Sequence, residues 1–207
     1  MTLRALVLNC TLKKSPAESN TEQLASVVVT ELEKLGVAVE ELRLVDLGIP
    51  PGVDTDLGAG DPWPAVHDKL LSSEILVFAT PTWVGHPSSI AQLALERMDA
   101  MISETDDEER PVAYNRVAGV VVTGNEDGAH HVISELAGGL GDIGYTIPGQ
   151  AWTYWNRGPG PGPSYADTGS DTDDGKDWSH STGRAMAGNL VAVAAALRDQ
   201  PIPPPRS

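Results

Sequence analysis

At 207 residues, with Lys+Arg 14 against Asp+Glu 29 and a net charge of -15, the chain can build one sizeable core and is too acidic to attract nucleic acid or an anionic membrane surface. Its one cysteine, Cys10, excludes an intramolecular disulfide and suits a reducing compartment. The apolar start over 3–8 is too short for a secretory core and no run reaches membrane-spanning length, so no membrane insertion and a cytoplasmic location are expected.

The elements alternate. A strand over 3–9 is followed by a polar loop, 10–19, and a helix over 20–35 that Gly36 stops. Ser19 or Asn20 can cap that helix, and Leu24, Val27, Val28, Leu32 and Leu35 share one face. A second strand, 37–44, leads through a Gly/Pro/Asp-rich loop, 45–62, to a short helix over 63–72. A third strand, 74–79, precedes a small-residue loop and a helix over 88–102, then an acidic loop. The fourth strand, 117–123, is apolar throughout, as a strand covered on both faces should be. The loop 124–128 opens a helix that ends near Gly144. A fifth strand, 145–154, is interrupted by Pro148 and Gly149. An irregular stretch, 156–177, precedes an Ala-rich helix over 179–197.

This alternation predicts an α/β fold: a three-layer sandwich with a five-stranded parallel sheet and helices on both faces. The flavodoxin-like order 2-1-3-4-5 fits, because a six-stranded dinucleotide fold needs one more strand. One domain is expected over 1–200, with a proline-rich tail over 201–207 that has little to hold it. In such a sheet ligands sit at the carboxyl ends of the strands, so chemistry is sought in three loops.

The loop after strand three, Ala79-Thr80-Pro81-Thr82-Trp83-Val84-Gly85-His86-Pro87-Ser88-Ser89, builds a rim of backbone amides with no obvious nucleophile, acid–base pair or metal-ligand set. It suits holding something flat. The loop after strand one joins a strand end to a helix N-terminus, where free amides and the dipole favour an anion. Thr11, Ser15, Ser19, Asn20 and Thr21 add short donors, and Lys13 and Lys14 are adjacent cations. That is a monophosphate cradle or, equally, a capped helix with a solvated loop. Any phosphate must be held locally here, against the overall field. A P-loop is absent, and a cysteine phosphatase would need an arginine where Pro16 stands, which makes Cys10 a packed residue. The loop after strand four, Thr123-Gly124-Asn125-Glu126-Asp127-Gly128, again runs from strand to helix, with Gly124 and Gly128 allowing close backbone approach. The neighbours His130 and His131 lack the spacing that turns two ligands to one metal, so no metal is expected. The run Gly139-Leu140-Gly141-Asp142-Ile143-Gly144 matches G-x-G-x-x-G but closes a helix, which fails the dinucleotide context. The acidic segment 167–177 lacks calcium-loop spacing and reads as a solvated loop or a lid.

Together the three loops resemble those of the flavodoxin-like NAD(P)H-dependent FMN reductase family. Thr11, Lys13, Ser19, Asn20 and Thr21 match its phosphate loop. Pro81-Thr82-Trp83-Val84-Gly85, then Ser88, is similar to its Pro-Thr-Tyr-Trp-Gly…Ser motif around the ribityl chain and flavin edge. Thr123, Gly124, Asn125 and Gly128 match its third loop beside the ring. The departure at Trp83-Val84 leaves open which residue lies against the ring, and the Gly/Pro-rich stretch after Tyr154-Trp155-Asn156 goes beyond a minimal flavodoxin and is a candidate cover for the site. The resemblance implies bound FMN, NAD(P)H as co-substrate, and hydride passed through the flavin to a small-molecule acceptor such as a quinone or free flavin. It implies no catalytic side chain and a homo-oligomer in which a second subunit completes the acceptor pocket. Trp83, Tyr154 and Trp155 are candidate walls of that pocket, with core packing as the alternative. A flavodoxin-type electron carrier, which the acidity suits, and a flavin-free regulatory or structural homologue are the competing functions.

Overall fold

The computed structural model describes residues 2–168 and 176–205. The expected acidic lid therefore falls largely outside the described residues, as do positions 206 and 207 of the tail.

Strands β1 (Arg4–Asn9), β2 (Ala38–Arg43), β3 (Ile75–Trp83), β5 (Val117–Gly124) and β6 (Trp152–Asn156) form a parallel sheet in the order β2-β1-β3-β5-β6, and the two-residue β4 (His86–Pro87) pairs with β3. Leaving β4 aside, this is the expected 2-1-3-4-5 arrangement. The helices are α1 (Asn20–Lys34), α2 (Trp63–Leu71), α3 (Ser89–Met98), α4 (Ala129–Ile143) and α5 (Lys176–Asp199). None of them is long and apolar enough to cross a membrane, among the described residues.

Successive strand residues feed opposite cores, which is why the central strands are apolar at every position. Leu6, Leu8, Phe78, Val120 and Val122 face α2, α3 and α4. Ala5, Val7, Val77 and Val121 face α1 and α5. Each buried face clears the opposing conformational entropy only because a helix covers it.

Among the boundaries that differ from the sequence reading, three have a local reason; α5 also starts three residues earlier than expected, at Lys176. β3 does not stop at Ala79: Thr80 and Pro81 stay in register with Val122 and Thr123 of β5. It then folds back as a hairpin onto His86–Pro87, turning on Val84 (φ 53) and Gly85 (φ 77). Two consecutive positive φ values are the pattern of a type I′ turn, whose twist matches a tight hairpin. The last strand starts at Trp152 rather than Tyr145, because Pro148 and the left-handed Gln150 (φ 54) keep the preceding segment off the sheet. Before it, Thr146 meets β5 as an isolated bridge to Val117, and the Ala151 carbonyl accepts from the Val120 N–H at 2.9 Å. The helix expected over 88–102 ends as α3 at Met98 and tightens into a 3₁₀ turn, Asp99–Ile102.

The proline-rich tail is tied at one point: the Ile202 N–H donates to Asn115 Oδ1 at 2.6 Å.

Candidate functional site

The loops leaving β1, β3 and β5 converge on a cleft of about 220 Å³ lined by Thr11, Leu12, Lys13, Asn20, Thr21, Pro81, Thr82, Trp83, Thr123, Gly124, Asn125, Ser164 and Tyr165.

The first loop is set by the start of α1. Ser19, buried, caps the helix: its Oγ accepts from the Glu22 N–H at 3.1 Å, and its carbonyl takes the Gln23 N–H. The remaining early N–H groups of α1 belong to Asn20 and Thr21, which line the cleft. Thr21 Oγ1 meets Thr123 Oγ1 at 2.9 Å, so the first and third loops share a buried hydrogen bond. Thr11 Oγ1 accepts from the Lys13 N–H at 3.3 Å. Ser15 points elsewhere and donates to Asp46 Oδ2 at 2.6 Å. That bond, with the Ser15 N–H, holds the Asp46 carboxyl below its usual range. Arg43 braces the same loop through the Ala17 carbonyl at 2.8 Å.

In the second loop Pro81, Thr82 and Trp83 reach the cleft, while Val84 and Gly85 form the hairpin turn beyond it. Trp83 is half exposed on the rim and so does not pack beneath the loop. Thr82 is buried, and its Oγ1 has no hydrogen-bond partner among the described residues. Thr82 lines the cleft, and a buried hydroxyl without a partner costs free energy unless a bound group supplies one. Ser88 lies behind the wall. It caps α3 by accepting from the Ala91 N–H at 3.1 Å and donates to the Cys10 carbonyl at 2.6 Å. Cys10 is fully buried, and burial pushes its thiol far up from the ordinary value.

The third loop is shaped by the second. A Cβ at Gly124 would meet Thr82 Cγ2 at 2.2 Å, and one at Gly128 (φ +112) would meet Gly85 Cα at 2.8 Å. These glycines let two loops touch; the ligand-facing role expected for them is secondary for Gly128, which does not line the cleft. The Val84 N–H donates to Glu126 Oε1 at 2.6 Å, which turns that carboxylate toward the hairpin.

The fourth wall comes from the Gly/Pro-rich stretch after β6, the segment expected from the sequence to be available to cover the site. Residues 157–168 cross the cleft mouth, tied at both sides: Ala166 N–H to Asn20 Oδ1 at 2.8 Å, Gly162 N–H to the Asn125 carbonyl at 2.8 Å. Ser164 and Tyr165 come from this strap. Ser164 Oγ donates to Asp167 at 2.6 Å; that bond first, and Lys13 with a lesser attraction, keeps the Asp167 carboxyl below its usual range. Tyr165 hydroxyl meets His180 Nε2 at 2.7 Å, and the Lys176 ammonium lies 4.5 Å from the centre of the Tyr165 ring. Burial, then Arg184 and Lys176, lower the pKa of His180, which favours a neutral imidazole that accepts from the tyrosine. The sequence signal for the strap was its Gly-Pro run in excess of a minimal flavodoxin, which offered a cover for the site but not the residues that tie it down.

Of the expected aromatic walls, only Trp83 stands on the cleft. Trp155 is buried in the α1/α5 core with its ring 5.6 Å from Tyr165, so it packs. Tyr154 lies edge-on to His130 at 5.0 Å and to Trp178 at 4.9 Å.

A riboflavin phosphate fits this donor set. The α1 N-terminus and Lys13 suit a phosphate dianion, the unpartnered Thr82 hydroxyl suits a polyol, and Trp83 suits the edge of a flat ring.

A family model described as NADPH-dependent FMN reductase matches residues 3–157. The chain is 35% identical over 210 residues to the 8-demethyl-8-aminoriboflavin-5'-phosphate synthase of Streptomyces davaonensis, a match that spans 97% of this chain and 80% of that protein. It is 38% identical over 200 residues to a Mycobacterium bovis protein described as a divalent metal cation transporter MntH, where the match takes in 95% of this chain but 29% of that relative's length. Among solved structures, RosB with bound 8-demethyl-8-formylriboflavin-5'-phosphate superposes with a TM-score of 0.83 at 34% identity, over 97% of this chain and 82% of that one.

Proposed function

The chain belongs to the NADPH-dependent FMN reductase family, and we propose that it works as an FMN-dependent oxidoreductase passing hydride from NAD(P)H to a small-molecule acceptor, a quinone or free flavin. When bound, FMN supplies the hydride chemistry at its N5, and the protein supplies binding, orientation and electrostatics. The observation that carries this reading is one cleft in which the α1 N-terminus, Thr82–Trp83 and Gly124–Asn125 meet, with the buried Thr82 hydroxyl left unpartnered.

Asn20, Thr21 and Lys13 hold the phosphate. Thr82 donates to the ribityl chain. Gly124 and Asn125 bring main chain to the ring edge, where N–H groups favour the negative charge of a reduced ring. Trp83 on one rim and Tyr165 on the strap limit how the ring and its partner approach. Among the described residues the cleft lining holds no carboxylate and no imidazole, which suits chemistry carried by the cofactor. The buried, single Cys10 suits work in the cytoplasm, and a second copy of the chain would complete the acceptor side.

One observation favours a second reading: two matches that cover 97% of this chain carry names of riboflavin-5'-phosphate derivatives. In that reading a riboflavin phosphate is altered in the cleft as a substrate. Anaerobic addition of NADPH to FMN-loaded protein separates the two. The first predicts bleaching of the flavin absorbance, recovery on adding a quinone, and unchanged FMN after many turnovers. No oxidation of either nicotinamide overturns it, and a chemically altered flavin recovered at the end supports the second.

A further inference from the structure

Outside the cleft, the β3–β4 hairpin and the start of α4 bring together a cluster that the sequence spacing had argued against. His131 does not work with its neighbour His130. It lies one helical turn from Glu135, with Nε2 at 3.1 Å from Glu135 Oε1. His86, contributed by β4, sets its Nδ1 at 3.3 Å from the same oxygen. All three ligand atoms fall within 4.8 Å of one another, and the two imidazoles meet edge-on with centroids 4.9 Å apart. The i, i+4 spacing on α4 puts two ligands on one face, and the tight I′ turn returns the third to it.

We propose that His86, His131 and Glu135 form a site for a divalent transition metal of the zinc class, clipping the β3–β4 hairpin to α4. Tetrahedral zinc with ligand bonds of about 2.1 Å needs ligand atoms about 3.4 Å apart, close to the two separations to Glu135 Oε1. Two imidazoles and a carboxylate are the donor types that zinc accepts with three protein ligands and a water in the fourth position. Magnesium and calcium, which take oxygen ligands, do not match the set. The three side chains are exposed, so an ion enters without any opening of the fold, and the net charge of -15 raises the local cation concentration. The clip would reinforce contacts already present between the same two loops, where Val84 donates to Glu126 and Gly128 abuts Gly85. It stands independently of the flavin reading.

The test is a calorimetric titration of zinc chloride into the chelator-treated, flavin-free full chain, repeated with cobalt(II) followed by visible absorbance. One ion per chain is expected, with tetrahedral cobalt bands, and no saturable heat from magnesium. His86→Ala, His131→Ala and Glu135→Gln should each weaken zinc at least tenfold, whereas His130→Ala should leave it unchanged. Glu135→Gln keeps the size and hydrogen-bonding reach of the side chain, so its loss of affinity reads ligation and not folding. Absence of saturable zinc binding, or equal losses in His130→Ala and His131→Ala, overturns the proposal.

Discussion

The hydroxyl of Thr82 and that of Ser88 stand close in sequence on the same loop and have opposite standing. Thr82 Oγ1 is buried on the cleft with no partner, while Ser88 Oγ is fully engaged with Cys10 and Ala91. Thr82→Val, which keeps shape, should therefore leave the flavin-free protein as stable as before or more so. It should weaken FMN roughly threefold to tenfold, the worth of one net hydrogen bond. Ser88→Ala should do the reverse, costing about 1 kcal/mol through the lost cap and little FMN affinity. Thermal melts and FMN titrations of both variants check the contrast. Sequence reading placed both residues in the loop between strand three and its helix but could not tell which hydroxyl was already spent. The same holds for Asn20, whose Oδ1 is taken by Ala166, a residue 146 positions away. Gly124 was legible as special, and the structure supplies the cause: Thr82 fills the space its side chain would need.

At the scale of elements, the long loop before α2 is held by Arg97 of α3. That side chain is fully buried and pairs with Asp61 at 2.6 Å, donates to the carbonyls of Pro50 at 3.0 Å and Asp54 at 3.1 Å, and lies 5.4 Å from the Trp63 ring centre. A lone arginine on a helix reads from sequence as a solvated residue, so this anchor was invisible there. The hydrogen bond from Arg97, helped by the Leu57 and Trp63 N–H groups and opposed by burial, lowers the Asp61 carboxyl from 3.8 to about 2. A depressed carboxylate stabilises the fold fully above about pH 4, and that contribution drains away as pH falls through about 2. Asp61→Asn should melt lower than the parent at neutral pH, and the gap should shrink between about pH 4 and about pH 2. Melting curves of the two chains across that range read it; a gap that stays constant contradicts the assignment. The strap over 157–168 was legible as an irregular stretch that could cover the site, but not its anchors, because its position depends on two hydrogen bonds to distant loops. The late start of β6 has a local cause that was half visible: Pro148 was noted as an interruption, but Gln150 in a left-handed conformation was not foreseeable from its residue type.

For the whole molecule, the order β2-β1-β3-β5-β6 was legible because apolar strands alternate with amphipathic helices, and parallel crossovers admit few topologies. That order alone carries the three strand ends to one edge, so the cleft was legible as soon as the sheet was. Its closure by the strap was legible only through the resemblance, and the fold-back of β3 onto β4 was not, since it rests on pairing between residues that no periodicity links. The chain's net charge of -15 sharpens what the cleft must do. A phosphate dianion meets an unfavourable net field, which the α1 N-terminus and Lys13 offset locally at the cleft. The central claim is that this cleft grips a riboflavin phosphate by its phosphate end. Parallel calorimetric titrations of FMN and of riboflavin into the flavin-free protein test it most directly. The account predicts one FMN per chain and at least tenfold weaker binding of riboflavin; equal affinities, or no binding of FMN, would contradict it.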